Sequence, residues 1–284
     1  MIYIFLSICC SVFVSVLLKL AKRYQIDSTQ AITWNYPTAA LLCWLIFRPA
    51  LSGIQTAYLP VYITLGILLP SLFVILAASV RHTGIVRTDI AQRLSLFIPV
   101  MAAFLIFSED LSVLKISGIL VAFAAIICCI PWQKNEGSKS SSGWIYLFTV
   151  FIGMGIIDVL FKQIAQNKAM PFTGSLFIVF ILASILSLSM LLILFLTGKK
   201  TFAWINLFCG IILGAANFGN ILFYLKAHQA LASKPSVVFS AMNMGVVIAG
   251  SLVGVLIFKE KLSKLNYAGI ALALISIIII SIAG

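Results

Sequence analysis

The residues best suited to chemistry are four polar side chains inside an otherwise apolar stretch, residues 85–110. They are Arg87, Asp89, Gln92 and Arg93. The stretch is long enough to cross a bilayer as one helix, and charged side chains at membrane depth usually face a protein interior or a water-filled cavity. Asp89 and Arg93 are one helical turn apart and can pair on one face. We therefore expect this stretch to line a substrate-binding cavity. The alternative is a packed pair in which Asp89 and Arg93 only neutralise each other.

A second pair of ionisable residues, Asp158 and Lys162, lies one helical turn apart in an apolar segment of the second half. A carboxylate in a cavity of low polarity can load and release a proton near neutral pH. Two interpretations stay open. Asp158 is a candidate for coupling transport to protons, and Asp158 with Lys162 is a candidate for an interfacial ion pair.

Uncharged polar residues supply further candidates for substrate binding. Trp34, Asn35 and Tyr36 come early in an apolar run, where aromatic side chains also serve as interfacial anchors. Asn217 and Asn220 are three residues apart on one helical face. Because amides also form helix–helix hydrogen bonds in membranes, both a binding and a structural role are open for these two residues.

The composition indicates an integral membrane protein. Of 284 residues, 62% are hydrophobic and only 9% are charged, whereas charged residues make up about 25% of ordinary soluble domains. Apolar runs of the length that crosses a bilayer recur throughout the chain. The ten candidate spans are residues 2–20, 30–47, 58–80, 86–107, 113–131, 144–165, 172–197, 203–226, 235–258 and 265–283. The short connections leave little room for a soluble domain, so we predict an all-α integral membrane protein with ten transmembrane helices.

The charge and the rarer residue types exclude several functions. The net charge of +12 comes mostly from basic residues at the ends of apolar runs, where they anchor helix ends, so we expect no nucleic-acid partner. The six cysteines fall within apolar runs and there are only two histidines. We therefore expect no metal, no cofactor and no disulfide framework. General acid–base or metal chemistry would have few residues to use, so we expect no enzyme.

The chain also contains an internal repeat. A hydrophilic linker, residues 133–143, separates a first five-helix unit (1–132) from a second (144–284). Residues 105–112 match residues 256–263 at an offset of 151. Because each unit has an odd number of spans, the second must enter the membrane from the opposite face. Inverted repeats are typical of transporters that alternate access around a site near the bilayer midplane.

The repeat places uncharged residues opposite the charged patch described first. Ser240 falls opposite Asp89, and Asn243 falls opposite Gln92. The fourth span is therefore charged where the ninth is only polar, and we expect this asymmetry to determine substrate specificity. Arg93 favours a substrate with a negative group, such as a carboxylate or a phosphate.

Each unit ends its fourth helix in Glu-x-Leu-Ser and carries a glycine nine residues after the glutamate. The residues are Glu109, Leu111, Ser112 and Gly118 in the first unit and Glu260, Leu262, Ser263 and Gly269 in the second. Motif, duplication and number of spans together resemble the EamA-type branch of the drug/metabolite transporter superfamily. The resemblance implies a carrier whose third, fourth, eighth and ninth helices line a central cavity. The first and sixth helices would lie nearby, with the fifth and tenth at the periphery.

We therefore expect a secondary carrier for a small polar metabolite. We expect it to export this metabolite across a bacterial inner membrane and to be a monomer or a homodimer. Its partners would be the substrate and the lipid bilayer. The alternative is a flippase for a lipid-linked polar head group, and a membrane enzyme or scaffold fits the sequence least.

The orientation of the chain in the membrane stays open. Ten loop Lys and Arg residues against five favour termini outside, whereas the resemblance favours cytoplasmic termini.

Overall fold

The structure is a computed structural model. It describes residues 1–49, 56–83, 85–110, 112–129, 143–167, 170–259 and 263–283. Within these ranges, the side chains of residues 22, 57, 81, 85, 86, 89 and 129 are not described. Residues 133–142 of the predicted linker 133–143, Leu111, and residues 260–262, which include Glu260 and Leu262, lie outside the described residues.

All regular structure in these ranges is helical, which confirms the all-α prediction. The helices are α1 (Ile2–Arg23), α2 (Ser28–Phe47), α3 (Leu59–Thr83), α4 (Ile85–Leu94), α5 (Phe97–Leu105), α6 (Val113–Cys129), α7 (Gly143–Gln166), α8 (Phe172–Leu196), α9 (Trp204–Ala230), α10 (Pro235–Leu256) and α11 (Lys264–Ala283), with a single 3₁₀ turn at Thr56–Tyr58. Helices satisfy their own backbone hydrogen bonds, which a segment in hydrocarbon must do.

The lengths and surfaces of these helices fit a multi-pass membrane protein. Seven of the described helices, α1, α3 and α7 to α11, are long and apolar enough to cross a membrane. Two shorter apolar helical stretches are Ile90–Leu105 and Val113–Cys128. Large apolar side chains such as Leu105, Trp144 and Leu196 are exposed on the outside of the bundle. Water would not favour such a surface, but lipid would.

The expected single helix over residues 86–107 is wrong, because the structure has two helices there, α4 and α5. The break comes from Pro99, whose nitrogen carries no hydrogen and cannot donate to the carbonyl of Ser95. That carbonyl accepts from the Ile98 backbone N–H at 3.0 Å instead. The Ser95 hydroxyl donates to the Gln92 carbonyl at 2.6 Å. The polar end of α4 therefore sits at a turn within the bundle.

The two halves of the chain interleave. Helices α1 and α2 pack against α9, and α3 packs against α7 and α8. Helix α1 also contacts α10, while α4 and α5 contact α7. Helices α6 and α11 pack against each other. The core therefore lies between the halves, and neither half buries its apolar faces alone.

Helices α2 and α9 approach closely because α9 carries two glycines at their contact. A Cβ on Gly214 would lie 2.7 Å from the Asn35 carbonyl oxygen and 2.7 Å from the Thr38 Cβ. A Cβ on Gly210 would lie 2.8 Å from the Ala31 carbonyl oxygen. Small residues at such spacing let two backbones pack together in membranes.

Polar contacts hold the α1–α2 turn against the α8–α9 connection. The Asp27 carboxylate accepts from the Thr29 backbone N–H at 3.0 Å and pairs with the Lys200 ammonium at 2.7 Å. The Asp27 backbone N–H donates to the Asn206 side chain at 3.1 Å. Partial burial raises the pKa of the Asp27 carboxyl, but its hydrogen bonds and the Lys200 charge outweigh burial and leave the pKa below its ordinary value. The carboxylate is therefore ionised at neutral pH.

We predict that Gly214→Ala lowers the thermal stability of the detergent-solubilised protein. The added Cβ would force α2 and α9 apart, at a cost of about 1–3 kcal/mol for overpacking. Gly250→Ala is the matched control, because a Cβ on Gly250 meets nothing within 4 Å. Melting followed by size-exclusion chromatography with fluorescence detection measures both variants. Equal melting temperatures for the two variants would contradict this account of the α2–α9 contact.

Candidate functional site

A cavity of about 380 Å³ lies between α1, α3, α4, α7, α9 and α10. This volume falls within the range of small-molecule sites. In the numbering of the ten predicted spans, the lining includes the third, fourth, eighth and ninth helices, which the family resemblance placed around the cavity. It also includes the first and sixth, which the resemblance placed only nearby. Six of the predicted site residues line the cavity: Gln92, Arg93, Asp158, Asn217, Asn220 and Asn243.

The cavity has charges of both signs and an apolar wall. Among the described lining residues, Arg93 is the only cation and Asp158 is the only anion. Arg93 comes from α4 in the first half and Asp158 from α7 in the second half. Leucine and phenylalanine side chains of α3, including Leu72 and Phe73, form part of the apolar wall. A ligand here would meet one ionisable side chain from each half of the chain.

Asp158 has a partner that the sequence did not suggest. The Tyr224 hydroxyl donates to the Asp158 Oδ1 at 2.9 Å. The Lys162 ammonium instead donates to the Ala232 carbonyl at 2.8 Å and lies 3.4 Å from the His228 carbonyl oxygen. Both side chains belong to the described part of the chain, and no ion pair joins Asp158 to Lys162 there. Proton coupling at Asp158 stays a prediction.

Asn220 combines a structural contact with a place in the cavity wall. The buried Ser7 hydroxyl of α1 lies 2.8 Å from the Asn220 Oδ1 and 2.9 Å from its carbonyl oxygen. Asn243 of α10 donates from its amide nitrogen to the Phe239 carbonyl at 3.0 Å. Both side chains are thus oriented by contacts within the protein, and both still line the cavity.

Other predicted site residues lie outside the cavity. Trp34, Asn35 and Tyr36 belong to α2, which packs on α8 and α9 and contributes no lining residue. The Asn35 Oδ1, the Tyr36 hydroxyl and the Trp34 Nε1 are buried and have no hydrogen-bond partner among the described residues. Ser240 is also buried away from the cavity. The side chain of Asp89 lies outside the described residues, so its predicted pairing with Arg93 stays a prediction.

Sequence reasoning did not single out several of the polar lining residues. Ser11 and Ser15 of α1 line the cavity one helical turn apart, together with Tyr224 of α9. The repeat held a signal for Ser15, because Asp158 falls opposite it at the offset of 143 that relates the first helices of the two units. No comparable signal marked Tyr224, since a tyrosine within an apolar helix is compatible with core, lipid interface or cavity.

The sequence pattern of the EamA-like transporter family matches residues 141–282. The chain belongs to this family. It is therefore a multi-pass membrane transporter of the drug/metabolite transporter superfamily. It is also similar to an uncharacterised protein of Haemophilus influenzae, with 45% identity over 282 residues that cover 95% of this chain and 94% of the relative. A solved crystal structure superposes with a TM-score of 0.72 at 14% identity and covers 99% of this chain and 96% of its own. That likeness concerns the fold alone.

We predict that a cysteine at Ser15 reacts with a water-soluble methanethiosulfonate reagent, whereas one at Phe13 does not. Both residues lie on α1, but Ser15 lines the cavity and Phe13 is 48% exposed on the outside of the bundle, where lipid would cover it. The thiolate is the reacting form, and a thiol ionises readily in water but not in lipid, so the two positions should differ strongly in rate.

Ser15→Cys and Phe13→Cys are each made in a variant whose six native cysteines are replaced, and labelling is followed in membranes. Equal rates at the two positions would contradict a water-filled cavity on this face of α1.

Proposed function

We propose that this protein is a secondary carrier that moves a small polar metabolite with an anionic group by alternating access across a bacterial inner membrane. The observation that carries the proposal is the cavity of about 380 Å³ between the two halves, with Arg93 and several amides in its wall. Membership of a transporter family supports transport as the activity. The relative in Haemophilus influenzae supports a bacterial setting.

The proposal includes ten spans arranged as two inverted five-helix repeats. Helices α4 and α5 would together form the fourth span, and α2 and α6 would cross the membrane as well. Local geometry supports the repeat, because Ser108 and Lys259 both have φ of 53° and are 151 residues apart. Each comes just after a helix end, at Leu105 in α5 and at Leu256 in α10.

The packing of the helices also supports this symmetry. Exchanging the two halves relates α1 to α7, α3 to α9, and α4 with α5 to α10. The contact between α1 and α9 then corresponds to the contact between α7 and α3. In the same way, the contact between α1 and α10 corresponds to the contacts of α7 with α4 and α5. A two-fold relation of this kind lets one half rock against the other around a fixed central site.

In this proposal Arg93 binds the anionic group of the substrate. A guanidinium presents a planar fork of donors that matches a carboxylate or a phosphate. The side-chain amides of Gln92, Asn217 and Asn243 would bind the remaining polar groups, and the apolar wall would accept a hydrocarbon part. Asp158, held by Tyr224, would load and release the coupling proton. Because Arg93 and Asp158 come from different halves, the substrate would contact both moving parts.

We predict that anionic metabolites raise the melting temperature of the purified protein and that Arg93→Gln reduces this effect by about half or more. A ligand at 100 times its dissociation constant stabilises the folded state by about 2.7 kcal/mol. Loss of a charge-assisted hydrogen bond costs about 1.5–3 kcal/mol, which weakens binding by roughly one to two orders of magnitude. A metabolite library screened at two pH values supplies the ligand, and flux into proteoliposomes then tests transport.

Arg87→Gln is the matched control for Arg93→Gln, because Arg87 lies on the same helix but is exposed and does not line the cavity. This variant should keep both the thermal shift and the flux. Normal binding and flux in Arg93→Gln would refute the role assigned to Arg93. A pH-independent shift would argue against a protonatable group in the site.

A further inference from the structure

We propose that Glu109, Ser236 and Lys162 form a gate that closes the cavity at one face of the membrane. This inference rests on the proposed function, since only a carrier needs to close its two faces in turn. The gate lies where α5, α7 and α9 end and α10 begins. It consists of two sets of polar contacts, one between the halves of the chain and one between α7 and the end of α9.

The first set joins the two halves through a buried carboxylate. Glu109 follows α5 and is only 6% exposed. Its Oε2 accepts from the Ser236 backbone N–H at 2.7 Å, and its Oε1 accepts from the Ser236 hydroxyl at 2.5 Å. Ser236 lies in the first turn of α10, where backbone N–H groups lack helical partners and negative charge is stabilised.

A cation also pairs with this carboxylate. The Lys115 ammonium lies 3.2 Å from the Glu109 Oε1 and is itself almost fully buried. A buried charge is tolerated only where it is paired and hydrogen-bonded. The contact therefore holds as a unit, and separating α10 from the end of α5 would leave the Glu109 carboxylate with Lys115 but without the two Ser236 donors.

The second set is centred on Lys162, which is fully buried in the last part of α7. Its ammonium donates to the Ala232 carbonyl at 2.8 Å, just after α9 ends. It also lies 5.8 Å from the centroid of the Phe107 ring. Carbonyl groups at a helix C-terminus lack partners and favour a cation. Lys162 thus links α7 to the connection between α9 and α10. Ala232, its acceptor in this connection, is four residues before Ser236 in the sequence.

At the opposite face, Glu260, the counterpart of Glu109, lies outside the described residues, but the counterpart of Lys162 is described. The repeat relates Lys162 to Lys19 and Phe107 to Phe258. The Lys19 ammonium also lies over its ring, 3.8 Å from the Phe258 centroid. However, Lys19 is exposed whereas Lys162 is fully buried. The same pair of residue types therefore occurs at both faces, but its lysine is buried at only one of them. This asymmetry is what a carrier closed at one face would show.

The gate is connected to the site through two shared helices. Asp158 and Lys162 are one turn apart on α7, and Tyr224 and His228 are one turn apart on α9. Tyr224 donates to Asp158, and its ring packs edge-on against the His228 ring at 4.7 Å. The His228 carbonyl in turn lies 3.4 Å from the Lys162 ammonium. A change in the charge or the contacts of Asp158 would therefore alter the contacts that hold the gate.

Thiol labelling from each face of the membrane tests the gate. Ser11→Cys reports on the cavity, because Ser11 lines it, and the native cysteines are replaced. The gated face is the one that carries the amino terminus, since Tyr3 of α1 lies 5.7 Å under the Lys226 ammonium at the end of α9. An amino-terminal tag that a protease can remove identifies this face in cells and in inverted membrane vesicles. A membrane-impermeant maleimide is then applied from one side at a time.

We expect slow labelling from the gated face in the parent protein. Lys162→Met and Glu109→Gln should each raise this rate roughly tenfold, because each removes a charged hydrogen-bonding group from the gate. Lys226→Met is the matched control, since it removes a lysine at the same face whose ammonium also lies over an aromatic ring. It should leave the rate unchanged. Size-exclusion chromatography checks folding, and Lys162→Met keeps the side-chain volume.

Three results would overturn the gate. The first is an unchanged labelling rate from the gated face in Lys162→Met and Glu109→Gln. The second is an equal increase in Lys226→Met. The third is no labelling of Ser11→Cys from either face in any variant, and this result would also refute the water-filled cavity of the proposed function. If the first result comes with labelling from the opposite face, the cavity of the proposed function stands and only the gate is refuted.

Discussion

Hydrocarbon offers no hydrogen-bond partners, so a charged group carried to membrane depth is costly unless the protein satisfies it or it faces a water-filled cavity. Three ionisable residues at or near the cavity follow this constraint. Asp158 accepts from Tyr224, Lys162 donates to the Ala232 carbonyl, and Glu109 accepts from Ser236. These contacts join different helices, so the same constraint that makes the segments helical also fixes how the helices are assembled.

The assembly depends on contacts between the halves as much as on contacts within them. Helix α9 meets α1 and α2 closely because glycines remove side chains from its surface, and Asn220 of α9 holds Ser7 of α1. Helix α7 meets α3, α4 and α5 in the corresponding way. The cavity is the space that remains between these two groups of helices. Its lining therefore draws on both halves, and motion of one half against the other would reshape it.

The broken fourth span shows how local chemistry serves the site. Pro99 leaves the Ser95 carbonyl without its usual helical donor, and the turn that results ends α4 within the bundle. Gln92 and Arg93 lie in the last turn of α4, next to that break, and both line the cavity. An unbroken helix would carry its backbone past the site with all donors and acceptors internally used. The break instead places a polar turn beside a polar cavity.

Sequence alone determined the class of the fold and most of the polar residues in the cavity. Long apolar runs can only be helices in lipid, and Arg93, Asp158, Asn217 and Asn243 were recognisable because polar side chains are rare there. Tertiary structure decided their partners. Hydrogen bonds between helices depend on which helix faces meet. The spacing of residues along one helix does not specify which face of another helix it will contact. Packing brought Asp158 to Tyr224 and Lys162 to the Ala232 carbonyl. It also placed α2, with Asn35, away from the cavity. Glu109 showed the same limit, since its motif marked the family but only packing brought it to Ser236.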